Sequence, residues 1–108
     1  MNNDLINISI VNGKWNDDEC LNILFDNENI RIEHVFMPSK SSSPGFWYDI
    51  LEDEWGLVIS GSISFQYFEI GSDETTYCKG EQFFIPRNKK HRIKITSPDC
   101  VVICVFIK

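Results

Sequence analysis

The sequence predicts an all-β fold, a small antiparallel sandwich or barrel of two sheets. Three observations point there. Most segments keep the two-residue period of half-buried strands. Turn residues recur about every eight to twelve positions, and no repeat, linker or low-complexity stretch divides the 108 residues into more than one domain.

The elements follow in order. Residues 1–4, Met-Asn-Asn-Asp, are expected to be unordered, and Leu5 to Val11 alternates loosely as a first strand. Trp15 to Phe25 admits two readings: Leu21, Ile23 and Phe25 alternate as in a strand, whereas Asp17 and Asp18 suit the start of a helical turn carrying Leu21 and Leu24. Asp26-Asn27-Glu28-Asn29 is a turn by composition. Ile30 to Met37 reads as a strand with Ile30, Ile32, His34 and Phe36 on its inner face. Pro38 to Gly45, rich in Ser and Pro, is expected to be a mobile loop. Strands are then predicted at Phe46 to Leu51, Glu54 to Ser60 and Ser62 to Ile70, the last two joined at Gly61. Gly71-Ser72-Asp73-Glu74 is a turn, and Thr75 to Lys79 and Gln82 to Ile85 continue the pattern. His91 to Thr96 sets His91, Ile93 and Ile95 against Arg92, Lys94 and Thr96, which places His91 inside, because Arg and Lys seldom point into a core. Val101 to Ile107 is apolar on both faces and needs covering twice, by the core and by a second surface such as a subunit partner.

Composition bounds the function. A hydrophobic content of 43% with eight Phe, three Trp and three Tyr supports a packed core. The net charge of −6, with Lys89-Lys90 the only adjacent cationic pair, argues against nucleic acid as a partner. The longest apolar run is too short to cross a bilayer, and the N-terminus shows no secretion signal. Cys20, Cys78, Cys100 and Cys104 have no zinc-like spacing and read as buried, reduced thiols, so a cytoplasmic location is expected.

The polar residues that carry chemistry are few. His91 ends the run Gly80-Glu81-Gln82-Phe83-Phe84-Ile85-Pro86-Arg87-Asn88-Lys89-Lys90-His91, an apolar strand between a turn glycine and a Pro-bounded loop. In Phe46 to Ile50, Trp47 and Asp49 share one face, and Phe46, Tyr48 and Ile50 share the other. Glu54 falls with Gly56, Val58 and Ser60, opposite Trp55, Leu57 and Ile59; the pattern leaves open which set faces inward.

These runs resemble a small single-domain cupin of the Phe-Trp-Tyr-Asp…Asp-Glu-Trp type. Gly80, Pro86 and His91 match the second cupin motif, with Asn88 in place of its middle glycine, a mild change since Asn tolerates left-handed backbone angles. Glu54 and Gly61 match the end of the first motif, whose two histidine positions fall on Trp47 and Asp49. The resemblance covers roughly residues 19–108 and implies a double-stranded β-helix, or jelly-roll barrel; a homodimer is expected through an exposed sheet or the Val101 to Ile107 region. It also implies a divalent metal on Asp49, Glu54 and His91, Trp47 being unable to coordinate. An oxygen-rich set of that kind favours manganese, iron(II) or magnesium over copper. The ion would polarise a small oxygenated substrate or activate water or dioxygen.

A second reading of the same residues is a metal-free module. Here His91 is a core histidine bonded to Glu54 or Asp49, and a small carboxylate, sugar or similar ligand is held by His34, His91 and a wall of Trp47, Phe83 and Ile85. The acidic run Glu52-Asp53-Glu54 then reads as a solvated face, and Tyr48 and Trp55 as outer-face or interface residues.

Overall fold

The computed structural model describes residues 19–69 and 73–108. Within them the fold is all-β: β1 (Cys20–Asp26), β2 (Ile30–Phe36), β3 (Asp53–Ser60), β4 (Ser62–Tyr67), β5 (Thr75–Cys78), β6 (Gln82–Ile85), β7 (His91–Thr96) and β8 (Val101–Ile107). The predicted strand at Leu5 to Val11 lies outside the described residues, as do residues 1–4 and part of the Gly71 turn. The ambiguous segment resolves to strand from Cys20 onward.

A five-stranded sheet, in the order β1-β2-β8-β3-β6, faces a three-stranded sheet, β5-β4-β7. All pairings are antiparallel. This is the jelly-roll sandwich, with the core between the sheets built on Val58, Ile63, Phe65, Phe83, Ile85 and Val102. β8 runs through the middle of the large sheet between β2 and β3, with Val102, Cys104 and Phe106 buried toward the core and Val101, Ile103 and Val105 half-buried on its other face.

Register decides which side chains meet, because laterally paired residues share a face. Arg31, Phe106, Glu54 and Ile85 form one row across β2, β8, β3 and β6; Glu33, Cys104, Gly56 and Phe83 form the next; Val35, Val102 and Val58 form a third. Gly56 is required in its row, since a Cβ there would lie 2.0 Å from Phe83 Cζ. Phe83 therefore fills the space that a larger residue on β3 would take.

Three expectations change. On β2 the inward set is the odd-numbered one, so His34 stands on the opposite face from Glu33 and Val35, opposite Ile103 of β8. The alternation of this strand misleads because its inner face carries Arg31 and Glu33, which pay for burial with charge pairing: Arg31 bonds Glu33 at 2.7 Å and grips Glu52 with both terminal nitrogens, at 3.0 and 2.9 Å. On β7 the pairing with β4 slips between Ser64 and Phe65. His91 and Ile93 stay inward, but Ile95 turns out, 49% exposed, and Thr96 is buried. Thr96 Oγ1 donates to the Met37 carbonyl at 2.5 Å and accepts from Lys40 N.

The third change is at Phe46 to Leu51, which is an irregular strap with a single bridge to β7 at Tyr48, whose N–H and carbonyl exchange hydrogen bonds with His91. The Ser/Pro-rich segment before it does not hang free. Ser39 and Ser42 donate backbone N–H groups to Ser97 and Ile93, and Ser42 Oγ accepts from Ile93 N. Left-handed backbone is used at turn positions that include Gly61 (φ 71°) between β3 and β4 and Asn88 (φ 62°) before β7. Asn88 thus adopts the conformation that made it an acceptable stand-in for glycine. Of the cysteines, Cys20, Cys100 and Cys104 are buried as predicted, while Cys78 is exposed; none is in a disulfide.

Candidate functional site

A cavity of about 160 Å³ opens between the two sheets. The large sheet supplies Glu33, Val35, Glu54, Val102, Cys104 and Phe106; the small sheet supplies Ile63, Phe65, His91 and Ile93. Phe83 forms part of the floor, Tyr48 enters from the strap, and Glu19 and the 47%-exposed Leu21 mark the mouth.

Glu54 points inward because it shares its β3 face with Gly56 and Val58. It is 9% exposed, and burial pushes its carboxyl up to about 7. The Cys104 thiol, in the next row, and Arg31 pull that proton affinity down, while Glu33 and Glu52 push it higher still. Cys104 is itself driven well up by burial and by Glu54, so it stays a thiol and not a thiolate.

His91 is 3% exposed and held below its ordinary value by burial, against the opposing pull of the Lys89 carbonyl and of Asp49. Its Nδ1 lies 2.9 Å from that carbonyl. A carbonyl only accepts, so the bond assigns the ring proton to Nδ1 and leaves Nε2 as the acceptor of a neutral imidazole. Aromatic rings fix the plane: Tyr48 stacks at 5.4 Å, and Phe65 stands edge-on at 6.0 Å.

The other sequence-derived candidates separate from this pair. Asp49 is solvent-exposed on the strap. Trp47, beside it in sequence, packs edge-on against Phe68 and lies under the Arg92 guanidinium, away from the cavity lining. The strap makes a single bridge, so strand alternation did not give its facing; Tyr48, assigned to the outer face, is the residue that enters. Phe83 lines the cavity, Ile85 is buried in the core beside it, and His34 is buried on the far face of β2. Glu33, Tyr48 and Cys104 were missed. The signal for Glu33 and Cys104 was their common row with Gly56, which only the strand register reveals.

Comparison with known proteins brings in no sequence family: no family model and no curated protein matches the chain. Solved structures do match. A cupin superfamily protein of Desulfitobacterium hafniense superposes with a TM-score of 0.71 at 12% identity, over 84% of this chain and 78% of the other. The chain has the fold of a small cupin. A protein of Ralstonia eutropha JMP134, described as a candidate mannose-6-phosphate isomerase, superposes on the cupin with a TM-score of 0.80 at 27% identity, over 87% and 88% of the two chains. The iron(II) form of HppE superposes at 0.69 with 14% identity, over 82% of the cupin and 50% of its own chain.

The metal that the cupin resemblance implies does not fit these donors. Among the described residues no three His, Cys, Asp or Glu side chains group closely enough to hold an ion. Of the implied set, Glu54 and His91 reach the cavity from opposite sheets and Asp49 is in solvent. No helix among the described residues is long and apolar enough to cross a membrane.

Proposed function

We propose that this cupin is a small-molecule-binding module whose barrel cavity works without a metal. The observation that carries the reading is the exposure of Asp49 on the strap, outside the cavity lining, which leaves one imidazole and one proton-retaining carboxyl facing a mostly apolar space. A divalent ion needs deprotonated acids and several convergent donors. A carboxyl that burial pushes up to about 7 suits hydrogen bonding to a ligand better than it suits an ion.

The Ralstonia protein's described substrate is not carried over. A sugar phosphate calls for cations, and no Lys or Arg lines this cavity among the described residues. Elemental analysis of untagged protein, after incubation with manganese or iron(II) and removal of excess ion, tests the reading. The expected result is a substoichiometric metal content, alongside ligand-induced thermal shifts that survive EDTA. One equivalent of retained metal, lost in both His91→Ala and Glu54→Gln, would restore the metal-dependent reading.

A further inference from the structure

The cavity's chemistry narrows what it takes. Its volume of about 160 Å³ is close to the roughly 150 Å³ at which an apolar protein cavity accepts benzene. Most of the wall is aliphatic or aromatic, with Val35, Ile63, Phe65, Phe83, Ile93 and Val102 among its residues. The polar groups stand on opposite sheets: Glu54 with Glu33 and Cys104 on one, His91 on the other. His91 and Glu33 each already have a fixed partner, which limits what they can offer a ligand. The His91 Nδ1 proton is used on the Lys89 carbonyl, so only the Nε2 lone pair is left to meet a ligand. The Glu54 carboxyl, buried in the cavity wall, keeps its proton and has an O–H to give to a ligand.

Charge imposes the second restriction. Glu33 and Glu54 line the cavity, and Arg31, the cation nearest to them, is already held by Glu33 and Glu52 and lies over the Phe106 ring, 4.5 Å from its centroid. An anion would pass Glu19 at the mouth and meet Glu33 and Glu54 inside, with no cation among the described lining residues, a loss of solvation with nothing to offset it.

Resting on the metal-free reading above, we infer that the cavity takes an uncharged, single-ring-sized molecule bearing a hydrogen-bond donor for His91 Nε2 at one end and an acceptor for Glu54 at the other, and that it refuses carboxylates and phosphates. A cyclic amide or vinylogous amide has this chemistry, and 4-pyridone is its benzene-sized probe.

The test is calorimetric titration at pH 6 in EDTA with 4-pyridone, 1-methyl-4-pyridone (acceptor only), toluene (neither group) and benzoate (anion). The expected result is that 4-pyridone binds about tenfold more tightly than its N-methyl form, the worth of one good hydrogen bond. Toluene should bind measurably and benzoate not at all. In His91→Phe, which keeps a ring against Tyr48 and Phe65, the two pyridones should bind alike. Benzoate binding as well as 4-pyridone would overturn the inference and leave the metal-free module standing, as would an undiminished pyridone preference in His91→Phe. Binding of any probe only when manganese replaces EDTA would overturn both.

Discussion

The two walls of the cavity solve the burial of polar groups in different ways. On the large sheet, acids are brought together in adjacent rows, Glu54 beside Phe106 and Glu33 beside Cys104, and their charge is relieved by Arg31, by a thiol and by retention of a proton. On the small sheet a single imidazole sits among Tyr48, Phe65 and Tyr67, stays neutral, and spends its only proton on the backbone. One wall is left able to donate and the other able to accept. A site of that polarity recognises an uncharged ligand lying across it, whereas a metal site needs donors converging on one point.

Four sets of substitutions sharpen or break this contrast. The largest effect is expected at the floor of the acidic wall. Gly56→Val forces a side chain into the Phe83 ring and should cost about 3 kcal/mol in urea unfolding, the upper part of the range for overpacking. Adding Phe83→Leu should recover more than half of the loss. A Gly56→Val protein as stable as the parent would mean that the wall is not packed as described.

Next is the pH dependence of the acidic wall. The Glu54 carboxyl is raised in the folded protein, from 4.5 to about 7, so its contribution to stability is full below 4.5 and is lost as pH rises through 7. That shift corresponds to about 3 kcal/mol. His91 has the opposite sign: its lowered value gives a contribution present above its ordinary 6.5 and lost as pH falls through the folded value. Glu54→Gln should remove the upper slope, so that the variant gains on the parent between pH 5 and 8 in parallel urea titrations. An unchanged slope would place an ionised carboxylate in the cavity and return the site to a charged ligand or ion.

The entry to the accepting wall gives a smaller effect. Asn88 holds a φ of 62° just before His91. Replacement by Val should cost about 1–2 kcal/mol, and replacement by Gly close to nothing, as thermal unfolding will show. Last, Asp49→Asn should change stability by less than about 0.5 kcal/mol and leave 4-pyridone affinity as it was, because this acid belongs to neither wall. A tenfold loss of ligand or metal binding in that variant would bring Asp49 back into the site.

How much of this the sequence disclosed depends on the regularity of each segment. From Glu54 to Ile107 the strands are separated by turns with clear chemistry, Gly61, Gly80 and Asn88 among them. Their period-two patterns gave the element order, and the Arg92/Lys94 face gave the inward direction of His91. The pattern failed where another force outweighed it. On β2, Arg31 pairing let two charged residues take the inner face, so the apolar alternation of Ile30 and Ile32 pointed His34 the wrong way. On β7 a slip of one position expelled Ile95, and no residue type announced it. In the strap from Phe46 to Leu51 there is one bridge and no ladder, so side-chain facing was not a function of parity at all. The cavity's third and fourth polar groups, Glu33 and Cys104, are 71 positions apart in sequence and meet only through the β2–β8 register. Long-range pairing of that kind has no local signature in a single chain.

The most direct examination of the central claim is the imidazole nitrogen spectrum of His91 by long-range proton–nitrogen correlation, recorded before and during addition of manganese(II). The structure calls for a neutral ring protonated on Nδ1, with an unprotonated Nε2 that is not broadened at one equivalent of the ion. An Nε2 resonance that disappears with a sharp break at one equivalent would mean that the imidazole is a metal ligand, and would contradict the account.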